Sequence, residues 1–365
     1  MGLCDRAHRD PAGGGPPALR RPLGAGHRGS LSTTLTRVLL TETAARAFGA
    51  SLLAAHENIE LVAMGRNGTL RLGDGSALDR EGTGIEVVWA TQDLFEEGAP
   101  LRPFFGLVRR LETLRWFQSQ AAGFDDPVFR EVIGRDILFT TSHANSVSIS
   151  EYVLRAVLDH YQEPARWRQA QVERRWIRHN FGEVFGTTWL VVGLGSIGTE
   201  VALRARVLGA RVIGVRRHPS GDEPVAEMVT PDDMHAVIGR ADVVVLSAPA
   251  GASTHHLVDG AFLDAMKETA LLVSVGRGSV VDEEALARAL DEGSIAAAVL
   301  DVFEVEPLPV DHPLWDHPRV TVTPHNSAGG TSGYSRAAQH FKENLSRYLL
   351  GEPLLRLVTE ADLDD

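Results

Sequence analysis

The chain alternates short apolar runs with segments of helical spacing, in two successive series. The runs are near-continuous, which is typical of strands in a parallel sheet that is covered on both faces. In the first series, strands are predicted at residues 36–41, 59–65, 85–91, 114–120 and 136–142. In the second series, they are predicted at residues 187–193, 210–216, 241–247, 270–276, 295–301 and 319–325. Strands separated by helical segments predict an α/β fold built on parallel sheets.

Helical segments join and close the two series. The spacing of apolar residues predicts a helix over 44–55 and a longer one over 148–162, with Ser148 or Ser150 as its N-cap. The segment 329–351 is also predicted to be helical, and we expect it to return to the first unit. The expected architecture is therefore two α/β domains, of which the second is a doubly wound sheet.

Composition and charge narrow the class of protein. The 365 residues are enough for two domains, and the net charge of −12 argues against nucleic acid or an anionic membrane as the main partner. Cys4 is the only cysteine, which excludes an intrachain disulfide and fits a reducing, cytoplasmic compartment. No apolar run approaches the roughly 18 residues of a membrane span. Residues 1–34 are rich in Gly, Pro and Arg, lack the apolar stretch of a secretion signal, and are predicted to form a disordered tail.

A glycine pattern opens the second series. Gly193, Gly195 and Gly198 fit G-x-G-x-x-G, which alone is a weak signal. Here the pattern lies between a predicted strand and a helix, within a strand–helix–strand unit of about 30 residues, as a dinucleotide site requires. The helix would present free N–H groups and a partial positive charge to phosphates. The sequence therefore predicts a dinucleotide site at this turn.

Charged residues follow three later strands of the second series. Arg277 follows one strand, Asp301 and Glu306 follow the next, and His325 follows the last. Ligands of open α/β sheets bind at the carboxyl ends of strands. Each residue alone could be an ordinary surface residue. Together beside a dinucleotide, an arginine, a carboxylate and a histidine favour hydride transfer between the cofactor and a 2-hydroxy or 2-keto acid.

Several sequence blocks together resemble the D-isomer-specific 2-hydroxyacid dehydrogenase family. The blocks are VVGLGSIG, SAPAGASTHHLVD, MKETALLVSVGRGSVVDEEAL, LDVFEVEP and TPHNSAG. The resemblance implies a Rossmann-type nucleotide domain inserted into a smaller, flavodoxin-like α/β substrate domain. The substrate domain would comprise residues 35–147 and 327–356, and the nucleotide domain residues 148–326. It also implies a homodimer joined through the nucleotide domains.

The resemblance assigns roles to individual residues. Arg277 would clamp the substrate carboxylate and carbonyl oxygens, and His325 would be the general acid in reduction. Glu306 would bond the other ring nitrogen of His325 and stabilise its protonated form. Asp301 would contact the nicotinamide end of the cofactor. The expected cofactor-binding residues are Gly193, Gly195, Ser196, Ile197, Gly198, Arg216, Arg217, Gly276, Arg277, Asp301, His325 and Ala328.

The expected substrate contacts are Thr91, Arg277 and His325. No metal is implied for the reaction. Glu304 does not match the catalytic position, and we interpret it as a solvated loop carboxylate. The other histidines, including His255, His256, His312 and His317, are interpreted as surface or loop residues.

The sequence departs from the family pattern at several positions. Ser274 and Gly276 stand where Asn and Ala are frequent, and the loop at Thr91 lacks a frequent glycine. The acidic residue expected after the second nucleotide strand is absent, and Arg216 and Arg217 stand there. A carboxylate there would repel a 2′-phosphate, whereas arginines match one, so NADP(H) is predicted to be preferred over NAD(H).

The predicted function is an NAD(P)-dependent D-2-hydroxyacid dehydrogenase of the glyoxylate/hydroxypyruvate reductase or phosphoglycerate dehydrogenase type. Glyoxylate, hydroxypyruvate, pyruvate and bulkier keto acids all remain open as substrates. The alternative is a nucleotide-sensing, corepressor-like binding protein on the same fold, with which the Arg277, Glu306 and His325 set is also compatible. The acidic charge balance counts against it.

Overall fold

Strands and helices alternate throughout the described residues of the computed structural model, which are 35–79, 81–120, 123, 127–135 and 137–358. The tail predicted at residues 1–34 lies outside the described residues. The strands are β1 (Thr36–Thr41), β2 (Ile59–Met64), β3 (Leu70–Leu72), β4 (Ile85–Ala90), β5 (Trp116–Ser119), β6 (Leu138–Thr140), β7 (Thr188–Val192), β8 (Arg211–Val215), β9 (Glu227–Val229), β10 (Val243–Leu246), β11 (Leu271–Ser274), β12 (Ala297–Leu300), β13 (Val320–Val322) and β14 (Leu357–Val358).

Helices connect most of these strands. They are α1 (Glu42–Ala55), α2 (Leu101–Val108), α3 (Pro127–Ile133), α4 (Ser146–Gln162), α5 (Pro164–Val172), α6 (Ser196–Val207), α7 (His235–Ile238), α8 (Gly260–Ala265), α9 (Glu283–Glu292) and α10 (Gly333–Leu350). Within the described ranges, no helix has both the length and the apolar character required to cross a membrane.

Within the described part of the chain, the first sheet has seven strands in the order β14-β6-β5-β4-β1-β2-β3. Its parallel strands follow the order β2-β1-β4-β5-β6, which is the flavodoxin-like arrangement. The predicted parallel sheet is confirmed for these five strands, and two strands that were not predicted, β3 and β14, pair antiparallel at its two edges. Both edge strands are too short to leave a periodic signal in the sequence.

The second sheet is parallel and has the order β13-β12-β11-β10-β7-β8-β9 among the described residues. This is the doubly wound order of dinucleotide-binding domains, with β13 as an additional edge strand. The order reverses between β7 and β10, so a crevice opens at their carboxyl ends. All six predicted strands are confirmed, and β9 was missed because it has only three half-buried residues.

The C-terminal helix α10 packs its aromatic face on the first sheet. Phe341 stacks on Trp89 of β4 and on Trp116 of β5, with ring centroids 4.5 Å and 5.2 Å apart. All three side chains are fully buried. Burial of such large aromatic surfaces contributes roughly 1.5–3 kcal/mol per side chain, so this stack fixes where the end of the chain lies.

Helix α4 begins at Ser146, with Asn145 in the N-cap position and no side-chain cap. The prediction of Ser148 or Ser150 as N-cap was wrong, because both lie inside the helix. Their hydroxyls donate to the carbonyls of Asn145 and Val147, each three residues earlier. Hydroxyl bonding back onto the preceding turn is a common alternative to capping.

His143 lies between β6 and α4, within reach of charged residues from the C-terminal part of the chain. Burial lowers the pKa of His143 to about 4, and the charges of Arg356 and His340 add to that effect. A histidine whose folded-state pKa lies below its unfolded value is neutral when folded. Between roughly pH 6.5 and pH 4, the unfolded chain then binds more protons, so acid weakens the fold.

We expect His143→Gln to lessen the loss of stability between pH 7 and pH 5. The parent should lose on the order of 1 kcal/mol more than the variant over that interval, because only the parent has this imidazole to protonate on unfolding. Thermal denaturation of both proteins at the two pH values measures the difference. The exposed His235 supplies the control variant, His235→Gln. Equal acid sensitivity of parent and His143→Gln contradicts the assignment.

Candidate active site

The glycine turn between β7 and α6 has the close packing that a dinucleotide site needs. Gly193 has φ +93°, and a Cβ there would lie 2.6 Å from the backbone nitrogen of Ala248. A Cβ on Gly198 would collide with the Gly193 carbonyl. At Gly195, by contrast, a Cβ would meet no protein atom within 4 Å. The turn is therefore closed on the protein side and open on the side where a ligand approaches the N-terminus of α6.

A cavity of about 650 Å³ lies at the carboxyl ends of β7, β8 and β10. The glycine turn forms one wall, and the Ala248 and Pro249 backbone forms another. Arg216, Arg217 and Thr230 line it as well. A dinucleotide fits these residues, because free helix N–H groups meet its phosphates and positive charge lies next to the cavity.

Arg216 has an acidic neighbour that sequence reasoning missed. Its Nη1 lies 3.4 Å from Glu223 Oε1. The Ser220 backbone N–H, together with the Ser220 hydroxyl and the Gly221 N–H, lowers the pKa of Glu223 to about 2. Glu223 follows Arg216 by seven residues in a loop, so no strand-end pattern signals it. The Glu223 carboxylate accepts hydrogen bonds from its own loop, and its 3.4 Å distance from Arg216 Nη1 is long for an ion pair.

Arg277 follows β11 on a tightly packed segment. A Cβ on Gly276 would lie 2.6 Å from the Ala248 carbonyl oxygen, and a Cβ on Gly278 would collide with the Phe303 backbone. The glycine at 276 therefore allows a close approach of this segment to the β10 loop. Arg277 Nη1 donates to the Gly276 carbonyl at 2.9 Å, and the side chain is half-buried.

His325 and Glu306 form a hydrogen-bonded pair. His325 Nδ1 lies 2.8 Å from Glu306 Oε2, while Glu306 Oε1 accepts from the Phe303 N–H at 2.9 Å. Because a carboxylate only accepts, Nδ1 carries a proton and Nε2 is left to exchange one. The His325 side chain is 48% exposed, so a substrate can reach it. The structure contains the predicted pairing of His325 with Glu306.

Asp301 is fully buried and holds the loop that carries His325. Its Oδ1 accepts from the Thr323 hydroxyl at 2.6 Å and from the Asn326 N–H at 2.9 Å, and its Oδ2 accepts from the Ser327 N–H at 2.8 Å. The Asp301 carbonyl accepts from the His325 N–H at 2.8 Å. The predicted contact of Asp301 with the nicotinamide stays a prediction; the structure gives Asp301 a positioning role.

Tyr152 of α4 extends this network and was missed by sequence reasoning. Its hydroxyl lies 2.6 Å from Thr323 Oγ1, and burial raises its pKa. Since Thr323 donates its proton to Asp301, Tyr152 must donate to Thr323. Nothing in the sequence links residues 171 positions apart, so only the fold reveals the chain of hydrogen bonds.

The remaining predicted site residues lie in three places. Ser196 and Ile197 form the first turn of α6, directly after the glycine turn. Ala328 follows Ser327 in the His325 loop, and its carbonyl accepts from Ser148 at 3.4 Å. Thr91 is fully buried, with its hydroxyl 3.4 Å from that of Thr41. The Thr91 side chain therefore faces the interior, and its substrate contact stays a prediction.

Comparisons with known proteins agree with this geometry. Residues 154–327 match the NAD binding domain of the D-isomer specific 2-hydroxyacid dehydrogenases. The chain is 32% identical to a glyoxylate reductase from Korarchaeum cryptofilum over 260 residues, which are 68% of this chain and 76% of that protein.

Two solved structures are similar over most of their length. One is a D-isomer specific 2-hydroxyacid dehydrogenase family protein from Aeromonas salmonicida (31% identity, TM-score 0.73, 89% of this chain and 99% of that chain). The other is a D-isomer specific 2-hydroxyacid dehydrogenase from Xanthobacter autotrophicus in complex with NADPH and MES (30% identity, TM-score 0.71, 89% and 98%). The fold and the relatives point to the same family, whose enzymes use NAD(P) and transfer a hydride between the nicotinamide cofactor and a 2-keto or D-2-hydroxy acid. The chain belongs to this family, the D-isomer-specific 2-hydroxyacid dehydrogenases.

Proposed function

We propose that this chain reduces a small 2-keto acid to the D-2-hydroxy acid, with NADP(H) preferred and NAD(H) as the second cofactor. The observation that carries the proposal is the 2.8 Å bond between His325 Nδ1 and Glu306. This pair lies at the same edge of the second sheet as Arg277 and the glycine turn. A panel of keto acids that begins with glyoxylate and hydroxypyruvate, assayed with both cofactors, tests it.

The residues divide the work between binding and proton transfer. Arg277 binds and polarises the substrate through its planar donors, which match a carboxylate or a keto oxygen. When bound, the nicotinamide supplies the hydride in reduction and accepts it in oxidation. His325 gives the proton held at Nε2 to the forming hydroxyl oxygen, while Glu306 stabilises the charged ring. Asp301 keeps His325 in place.

The corepressor-like alternative is not favoured. The relatives named by the comparisons are reductases and dehydrogenases. We propose a substrate domain of residues 35–147 and 327–356 and a nucleotide domain of residues 148–326. We also propose a cytoplasmic location, and a small-molecule substrate instead of nucleic acid or a membrane, in keeping with the net charge of −12.

His325→Ala should lower kcat for keto-acid reduction by roughly 10²–10⁴-fold, because it removes the general acid. Binding of NADPH, measured by fluorescence titration, should change little. His317, which pairs with Asp291 and precedes β13, supplies the control variant His317→Ala. Glu306→Gln should retain activity at low pH and lose it earlier as pH rises, since the charge that favours the protonated ring is gone. An unchanged pH–rate profile would remove Glu306 from this role.

Arg277→Lys should raise KM and lower kcat together. Lysine keeps the charge but lacks the rigid pair of donors that holds two substrate oxygens. Steady-state kinetics with the best keto acid of the panel measure both constants. Arg288→Lys, on the exposed face of α9, is the control. A variant within twofold of the parent on both constants would show that Arg277 is not the clamp.

A short segment with three exposed apolar side chains supports the proposed homodimer. Between α5 and β7, and at the end of α5, Trp176 is 92% exposed, Val172 79% and Phe185 78%. Several exposed large apolar side chains within one short segment favour a protein–protein contact there. The segment belongs to the nucleotide domain of the proposed division, through which the dimer is expected to form.

Trp176→Asp should weaken the dimer at least about tenfold, because a charge would be buried in the contact. Sedimentation velocity across a concentration series measures the dissociation constant. Val310→Asp is the matched control, since Val310 is 98% exposed and lies outside this segment. A parent that sediments as a monomer, or a Trp176→Asp variant as dimeric as the parent, contradicts the proposal.

The cofactor preference rests on Arg216 and Arg217 at the end of β8. Replacing both by Ala should lower the NADPH-to-NADH ratio of kcat/KM by about tenfold or more, since a hydrogen bond to a charged group contributes roughly 1.5–3 kcal/mol. Arg211→Ala is the control, because Arg211 begins the same strand and pairs with Glu227. A parent that favours NADH, or a double variant with an unchanged ratio, overturns the preference. Added salt should reduce the preference, because exposed charge pairs are screened.

A further inference from the structure

Two imidazoles and a carboxylate that the mechanism does not use lie close together on the second unit of the chain. His255 and His256 lie between β10 and α8, and Glu304 lies after β12. One potential ligand atom from each residue lies within 4.8 Å of the other two. His256 Nε2 is 3.3 Å from Glu304 Oε1, and the two histidine ring centroids are 4.1 Å apart. The sequence places the two histidines in one loop and Glu304 in another, and the fold brings the two loops together.

The backbone holds these side chains in place. The Ser279 carbonyl accepts from the His256 N–H at 2.8 Å and lies 3.2 Å from His255 Nδ1. Since a carbonyl only accepts, His255 Nδ1 carries the proton and the other ring nitrogen keeps its lone pair. A backbone carbonyl behind a histidine is the usual support of a metal-ligating imidazole.

His256 and Glu304 have further constraints. His256 has φ +49°, a left-handed conformation that is uncommon for residues with a side chain and is concentrated at functional sites. The Glu304 N–H donates to Glu283 Oε1 at 2.8 Å, and Glu283 Oε2 pairs with His312 at 3.2 Å. The loop that carries Glu304 is therefore anchored on α9.

We propose that His255, His256 and Glu304 form a binding site for one divalent transition-metal ion of the zinc type. Zinc binds imidazole nitrogen and carboxylate oxygen at about 2.0–2.2 Å, so two ligands at a tetrahedral angle lie roughly 3.3 Å apart. That is the separation of His256 Nε2 and Glu304 Oε1. Two imidazoles and one carboxylate favour zinc, cobalt or nickel over magnesium and calcium, which prefer oxygen ligands. Three protein ligands leave the fourth position to water.

The location of the site suits a structural effect on the enzyme. Ser279 is two residues from Arg277, and Glu304 is two residues from Glu306. An ion bound to the two histidines and Glu304 would connect the β10 loop to the segment that carries Glu306. Because the ion binds the folded chain, it should raise the melting temperature. This expectation does not depend on which keto acid the enzyme reduces.

Calorimetric titration of the full, tag-free chain with zinc chloride tests the proposal. We expect one zinc ion per chain, and at least about tenfold weaker binding in each of His255→Gln, His256→Asn and Glu304→Gln. Asparagine is chosen at 256 because it tolerates a positive φ. His317→Gln is the matched control, since His317 and Asp291 form a pair 3.4 Å apart without a third ligand from the described residues. Zinc should raise the melting temperature of the parent and of this control only.

Absence of saturable zinc binding to the parent overturns the proposal, as does equal affinity in the parent and in the three variants. If circular dichroism shows that a variant is misfolded, X-ray absorption of the zinc-loaded parent decides. Nitrogen and oxygen ligation with two imidazoles supports the site, and a spectrum without imidazole ligands contradicts it. Cobalt chloride gives a second readout, because tetrahedral cobalt absorbs strongly in the visible range and octahedral cobalt does not.

Discussion

The buried carboxylate of Asp301 is the constraint on which the catalytic geometry depends. It binds the Thr323 hydroxyl and the N–H groups of Asn326 and Ser327, so it holds the loop on both sides of His325. His325 has φ +50°, a conformation that costs of order 1–3 kcal/mol unless its surroundings enforce it. A buried charge needs such donors, and here the donors are the loop itself. Satisfying one buried group therefore fixes the position of His325, the proposed general acid.

Parallel pairing of the second sheet makes this arrangement possible. Strands β11, β12 and β13 are parallel neighbours, so Arg277, Asp301 and His325 all follow the carboxyl ends of strands on the same side of the sheet. The glycine turn follows β7 at the same edge, beyond β10. A dinucleotide bound at the glycine turn, as proposed, would extend along the strand ends towards the His325 loop. The order of the strands in the sheet brings residues more than 100 positions apart in the sequence into one site.

The predictable part of the molecule is the part that follows from periodicity and local chemistry. Apolar runs predict the parallel strands, and the glycine spacing predicts the turn at Gly193. The short antiparallel strands β3 and β14 cannot be predicted from the sequence, because two or three residues are too few to show a periodic pattern. Sequence analysis also missed three polar residues for another reason, because their hydrogen bonds and ion pairs form only in the folded chain. These residues are Tyr152, Thr323 and Glu223. Thr91 shows the converse, since a polar residue at a strand end can face the interior.

Glu304 and Glu306 show how the backbone decides which of two similar residues serves the acid–base pair. They are two positions apart in one loop, yet Glu306 accepts from the Phe303 N–H and pairs with His325, whereas Glu304 pairs with His256. The N–H of Glu304 is bound by Glu283 on α9, which anchors the segment at that point. Charge and sequence position alone would not show which of the two carboxylates pairs with His325. The anchored backbone does, because it directs one carboxylate to the His325 loop and the other to His255 and His256.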